Sequence, residues 1–557
     1  MKDMDIVNNY KNYKQYLPDY ANWRDEQDLN RAKRLDYLKK HPEKMNEEDI
    51  QRGKILLRSI DVMDEYSQSN AEDMETATDF ATSQVVGIAT MVGTLGGTLL
   101  TMTKPVQNMM AKITRGNQKL EILASVVPSL IGMLVGMAAS FPAVVWATKA
   151  QVSASRKGRF EAMSKDLKNP ATFAVLTPEQ KKKAEEIAKD IKLDDKDKKR
   201  LNKKQGLNLN PLESISTLKK YYKNDSEYQA RKSEFDKLLE HDESKFGTQV
   251  SEKQIRDAKR DQQILSDMVR RIDVASQDYA ENTELATNTI TTLALGTGGL
   301  AGWLSNKVMK GLKIKGGGVV GKAIPWVVGA TLPLTAGIYS AKIQKQASRI
   351  GRYKVKQEML NNPAELVYVD DKDVATSDVK TFEKHKKPNL FKFMANLYKD
   401  NKEYQNYVKT EGEKELKMHK AIEKLELSEE QIKDAKALQK NIFKTFNKVD
   451  EKSQTYSESV EAMGEITQNG VQTFGSLVAS GISLLMAYRM MENPNAAKSM
   501  PKLIAKLMAP FALVLLPAIG IDVYTTKAQK KASRVADMMA LKELGDYRHY
   551  VDYSNVK

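Results

Sequence analysis

Along this chain, long charged stretches alternate with runs that contain no ionisable side chain. The runs occupy 81–103, 122–148, 285–306, 323–341, 466–488 and 507–521. A helix needs about 17–25 mostly apolar residues to cross a bilayer, and five of the runs reach that length. The sixth reaches Thr526 if Asp522 sits at the interface. The pattern predicts three helical hairpins, 81–148, 285–341 and 466–526. No period-two segment is long enough to read as a strand. The expected fold is all-α: a polytopic membrane protein of six spans, built from three tandem repeats, each a two-helix transmembrane hairpin flanked by long polar helices.

The repeats extend beyond the hairpins. A basic exit motif follows each one: Lys149-AQVSAS-Arg156, Lys342-IQKQAS-Arg349 and Lys527-AQKKAS-Arg534. Upstream, Ser251-EKQIRDAK aligns with Ser428-EEQIKDAK and, more loosely, with Asn46-EEDIQRGK. Each opens on a good N-cap residue followed by acidic side chains, the signature of a helix start. Tyrosines at Tyr66, Tyr279 and Tyr456 precede the first run of each copy, and Tyr-Lys pairs recur at Tyr10, Tyr222 and Tyr398. Asn169-Pro170-Ala171 is matched by Asn362-Pro363-Ala364, and the third copy has GDYRHYVDY instead. Landmarks in one order three times over signal triplication. The units are 1–163, 212–359 and 388–557, with linkers at 164–211 and 360–387. The stretch from Pro178 onward, PEQKKKAEEIAKDIKLDDKDKK, reads as exposed helix or flexible linker that could not build a core.

Small residues at i, i+4 suit close helix packing in a membrane: Gly93 and Gly97, Gly132 and Gly136, Gly298 and Gly302, Ser476 and Ser480. Pro142, Pro333 and Pro517 fall at similar depth and are candidate helix breaks. The exit motifs lie where positive charge sets orientation, which places both termini in the cytoplasm of an inner or plasma membrane. Lys149, Arg156, Arg159, Lys342, Arg349, Arg352, Lys527 and Arg534 are candidate contacts to anionic phospholipid headgroups.

Composition narrows the chemistry. The 557 residues carry a formal net charge of +16 and no cysteine, which excludes disulfides and thiolate metal sites. Five scattered histidines offer no ligand spacing and read as surface residues. Gly316-GGVV-Gly321-Lys322 lacks both the preceding strand and the hydroxyl of a phosphate-binding loop, so it reads as a flexible turn. The lysine runs are interleaved with acids and point away from nucleic acid. No cofactor and no catalytic constellation is expected. The leading expectation is a non-enzymatic membrane anchor or scaffold that displays cytoplasmic helices to protein partners on a lipid bilayer. The alternatives are a pseudo-threefold channel or transporter and a pore-former whose hairpins insert conditionally.

Overall fold

The computed structural model describes residues 6–71, 103–114, 149–198, 225–311, 346–382, 390–491 and 527–553, apart from a few positions inside these spans, together with isolated residues elsewhere. These residues form helices and turns, with no strand among them.

Each copy begins with a capped helix. Ser251 Oγ accepts from the Gln254 amide (3.3 Å) while Gln254 Oε1 accepts from the Ser251 amide (3.0 Å). Ser428 and Gln431 repeat this reciprocal cap at 3.2 and 3.0 Å. In the first copy Asn46 Oδ1 accepts from the Glu48 amide at 2.9 Å. Such caps satisfy amides that the first helical turn leaves without partners. The lead-in helices that follow cover 47–71, Glu252–Gly311 and Glu429–Met491. Their inward faces stack in layers, with Leu56, Leu265 and Ile442 all wholly buried and Met63, Ile272 and Val449 close behind.

The exit helices, 153–164, 346–361 and 527–543, each pack on two lead-in helices at once. One partner is the lead-in of the same copy: Ser67 meets Ser155 (2.6 Å), Ser276 meets Ser348, and Ser453 meets Ser533. The other belongs to a different copy. Gln68 Nε2 donates to Ser348, Gln277 to Ser533 (2.5 Å), and Gln454 to Ser155. The second exit helix therefore joins copies one and two, the third joins two and three, and the first joins three and one. Six helices close into a ring.

This register differs from the tyrosine alignment. The dipeptides Ser67-Gln68, Ser276-Gln277 and Ser453-Gln454 are the equivalent positions, so Tyr66 does not correspond to Tyr279 and Tyr456. The glycines agree. A Cβ on Gly158 would sit 2.3 Å from the Tyr66 carbonyl oxygen, and one on Gly351 would sit 2.4 Å from that of Ala275. Tyr66 and Ala275 each immediately precede the Ser-Gln pair.

Short 3₁₀ turns after the exit helices dock in the same cyclic order. Pro170–Phe173 packs on the third lead-in helix, Pro363–Leu366 on the first and Tyr547–Tyr550 on the second. Phe173, Leu366 and Tyr550 are buried at this junction, and Phe173 lies edge-on to Phe443 at 5.9 Å. The tyrosine-rich segments upstream of each lead-in form an outer layer. Tyr228 packs on Phe160 of the first exit helix and Tyr404 on Tyr353 of the second. Tyr13 and Tyr20 cluster with Val535 and Met538 of the third.

Two expectations are corrected. The helix Pro178–Asp190 in the charged linker is capped by Thr177 and Gln180, and its Ala184, together with Ile191 just beyond, is buried against Ala421, Ile422 and Leu425. Its few apolar residues share one face, which composition alone hides. More fundamentally, among the described residues no helix is long and apolar enough to cross a membrane. This overturns the six-span polytopic fold and the inner- or plasma-membrane placement built on it. Freedom from charge is not the same as hydrophobicity: the run 285–306 holds Thr287, Asn288, Thr289, Thr291 and Thr292, and the run 466–488 holds Gln468, Asn469, Gln472 and Thr473. Both continue lead-in helices whose earlier turns are buried by other helices of the ring. The other four runs lie essentially outside the described residues.

Gly351→Ala tests the close approach of exit and lead-in helices. Alanine normally favours a helix over glycine by about 0.5–1 kcal/mol. Here overpacking against a backbone carbonyl should reverse the sign and destabilise by about 1–3 kcal/mol, read by urea unfolding.

Candidate functional site

Above the apolar layers the interior of the ring becomes polar. One turn before each Ser-Gln pair stands an aspartate: Asp64, Asp273 and Asp450 occupy equivalent places on the three lead-in helices. Together with Ser67, Ser276 and Ser453 they line a cavity of about 210 Å³ around the pseudo-threefold axis. This is ample room for several waters or a small ligand.

The exit motifs supply the partners. Arg352 pairs with Asp64 at 3.3 Å, and its guanidinium also donates to Gln68 Oε1 at 2.6 Å. Arg159, with only 1% of its side chain exposed, is ion-paired to Asp450. The third exit helix carries Asp537 at the same position, so the crossing on Asp273 brings two carboxyls together. Asp537 is 3% exposed. Burial, and Asp273 beside it, push its carboxyl well above the usual carboxylate range. Burial also raises Asp273, against the pull of Arg534, Arg352 and Gln277. Ser453 and Arg534 face Asp537 and favour its ionised form. Burial pushes Asp64 up to about 6, with Arg352 opposing. Two like carboxyls in one buried site hold a proton between them unless a cation joins them.

The motif arginines one turn earlier follow the ring too. Arg156 donates to Thr455 Oγ1 (2.8 Å), Arg349 to Glu65 (3.3 Å) and Ser69 (3.4 Å), and Arg534 to Asp278 (2.5 Å). Ser69, Asp278 and Thr455 are equivalent positions. Of the residues considered for lipid headgroups, these three arginines, Arg159 and Arg352 therefore hold lead-in helices inside the protein. Lys149 is half-buried, Lys527 is exposed, and Lys342 lies outside the described residues. Gly93, Gly97, Gly132, Gly136, Pro333 and Pro517 also lie outside them. Gly298, Gly302, Ser476 and Ser480 lie on the far ends of the lead-in helices, and Pro142 is an isolated exposed position. His419 is not a surface residue: it is buried, with Nε2 2.9 Å from the Asp166 carbonyl.

The chain matches no known protein family, and neither the curated proteins nor the solved structures contain a match to it. The axial site therefore has to be read from its own chemistry.

The axial aspartates carry no motif of their own, and reading the sequence by motif passes over them. One signal was available. Extending the exit motifs by three residues gives R-K-G-R (156–159), R-I-G-R (349–352) and R-V-A-D (534–537). A cation is replaced by an acid in one copy of three.

A lower axial layer shows what a completed polar contact looks like in this core. Arg52 and Asp261 are equivalent positions on the first two lead-in helices, and they form a two-pronged pair at 2.8 and 3.0 Å. Asn441 adds a third hydrogen bond to Asp261 at 3.0 Å. At Asp537, by contrast, Oδ1 has no hydrogen-bond partner among the described residues.

The carboxyl pair makes stability pH-dependent in a defined direction. An unfolded aspartate loses its proton near pH ~3.9, whereas the folded pair keeps one to higher pH. Stability should thus fall as pH rises above that value, by up to about 1.4 kcal/mol per pH unit for one proton, and level off once the folded pair ionises. Asp537→Asn should remove this component. The check is the difference between wild-type and D537N urea-unfolding free energies from pH 4 to 9, which isolates the Asp273–Asp537 pair from groups that titrate alike in both.

Proposed function

We propose that this chain is a non-enzymatic helical hub, whose ring gathers three homologous uncharged segment pairs at one end and holds them in fixed mutual positions for protein partners. The observation that carries this reading is the cyclic sharing of the exit helices. Ser67 and Ser155 flank the first segment pair, Ser276 and Ser348 the second, and Ser453 and Ser533 the third. Each flanking pair is in contact at the same level of the ring. The chain therefore leaves the ring and returns to it at three related points around one axis. Met74 against Ala150 and Ala154 continues the side-by-side course of the helices beyond that level in the first copy.

The geometry also explains why a positional role suits this architecture. In an open array of repeats each unit contacts only its neighbours, and the ends can fray. Here the first and last copies bind each other through Arg159 and Asp450, Arg156 and Thr455, and Asn9 and Ser459 (3.0 Å). No copy can shift without breaking contacts to both others. A frame of that kind fixes the spacing of whatever it carries.

The test is to replace 81–148, 285–341 and 466–521 with short Gly-Ser connections. A hub predicts that the remaining ring keeps its helicity and a single cooperative urea transition, because the segments are cargo to the frame. Loss of cooperative unfolding would mean that the segments themselves are the core, and the reading would be wrong. Within the intact chain, Asp450→Ala should cost about 3–5 kcal/mol by stranding buried Arg159. The double variant with Arg159→Met should recover a large part of that loss.

A further inference from the structure

Two of the three axial crossings are completed by a guanidinium at the last position of the exit motif, and the third carries Asp537 there, with Arg534 engaged by Asp278 and Arg352 by Asp64. We propose that the cavity at the Asp273–Asp537 crossing binds a small nitrogen cation of the guanidinium or ammonium class, which takes the place that Arg159 and Arg352 fill at the other two. The argument begins with homology inside one molecule. Asp64 and Asp450 show what an axial aspartate meets in this frame, namely a planar cation reaching in from the exit helix. Asp273 sits in the same frame and meets a carboxyl instead.

An independent observation comes from the hydrogen-bond inventory. Asp537 Oδ1 is buried without a hydrogen-bond partner, and so is Gln454 Oε1 on the same cavity wall. Both are acceptors. A buried acceptor without a donor is costly, and both residues belong to the wall of this cavity, so the wall is short of donors. The rest of the wall joins hydroxyls at Ser67, Ser276 and Ser453 to an apolar floor of Ile60, Ile272 and Val449, and its one lining cation among the described residues, Arg352, is already paired with Asp64. Among the described residues no group of three carboxylates or histidines is placed to hold a metal ion. The donor set thus suits a cation that is recognised through N–H groups. A guanidinium offers several donors in one plane, matched to carboxylate pairs. The cavity of about 210 Å³ takes such a group with water to spare.

Bound cation and shared proton compete, because either one relieves the repulsion between the two carboxylates. Binding should therefore strengthen as pH rises and the proton leaves.

The experiment uses the full-length chain at pH 8, with thermal unfolding followed by circular dichroism. The probes are guanidinium chloride and methylammonium chloride at low millimolar concentration, set against sodium chloride at equal ionic strength. The expected result is a saturable rise in Tm of about 2 °C with a nitrogen cation and none with sodium. Asp537→Asn should lose that response while its own Tm stays the same or rises. Asp537→Arg, which brings its own guanidinium, should also lose the response and start from a higher Tm. Either variant suffices if the other folds poorly. The proposal fails if neither probe raises Tm above the sodium control, or if D537N responds as wild type does. It also fails if the wild-type response is larger at pH 5 than at pH 8.

Discussion

The ring exists because two helices can come close enough for serine to touch serine. Each lead-in helix presents a serine and then a glutamine. The serine engages the exit helix of its own copy, and the glutamine reaches the exit helix of another. That pairing works only at short range, which is why Gly158 and Gly351 stand where any side chain would strike a carbonyl. In the third copy Ala536, wholly buried, fills the equivalent position, so that crossing accommodates a methyl group. Every larger feature inherits its place from these contacts, including the apolar layers below, the arginines beside them and the turns that dock on the neighbouring lead-in helix.

The buried charges serve geometry more than stability. An ion pair taken out of water recovers little beyond its desolvation cost, but breaking one is expensive. Arg159 with Asp450 and Arg352 with Asp64 thereby fix the depth and angle at which an exit helix crosses a lead-in helix, although the equivalent aspartate on every lead-in helix means that they do not choose the partner. The choice of partner has to be set elsewhere, because apolar layers of Leu, Ile, Val and Met would tolerate a swap. Polar pairs that differ from copy to copy (Arg349 with Glu65, Arg534 with Asp278, Arg156 with Thr455) give each crossing a distinct label.

Much of the frame was legible in the sequence. The capped starts at Ser251 and Ser428 and the turns at the two Asn-Pro-Ala sequences are real units of structure, and the recurring K-x-Q-x-x-(A/S)-S-R motif marks serines that make the same contact in three places. Their roles were harder to read. Clustered arginines beside uncharged runs fit a lipid surface as well as they fit a set of interior partners, and only the fold brings Asp64 and Asp450 to them. The tyrosine alignment misplaced the first copy because the eye follows large residues, whereas register is set by a serine and a glutamine. Uncharged runs resemble membrane spans when charge alone is weighed, while the threonines and amides between the apolar residues lower their hydrophobicity without adding any charge. Asp537 was the most readable of the missed features. It breaks a threefold pattern, and a broken pattern in a repeat protein points to function more sharply than a preserved one.

Closure also bears on how the chain is made. The partner of Arg159 is residue 450, and the partner of Asn9 is residue 459. At ordinary elongation rates of about 5–20 residues per second, the first exit helix leaves the ribosome roughly 15–60 seconds before its carboxylate does. During that interval an arginine destined for the interior stays in water, and the face meant for the third copy stays bare. The first repeat therefore emerges with its interface to the third copy unmade, and a chain cut short anywhere before the third lead-in helix would leave that surface open to mispairing.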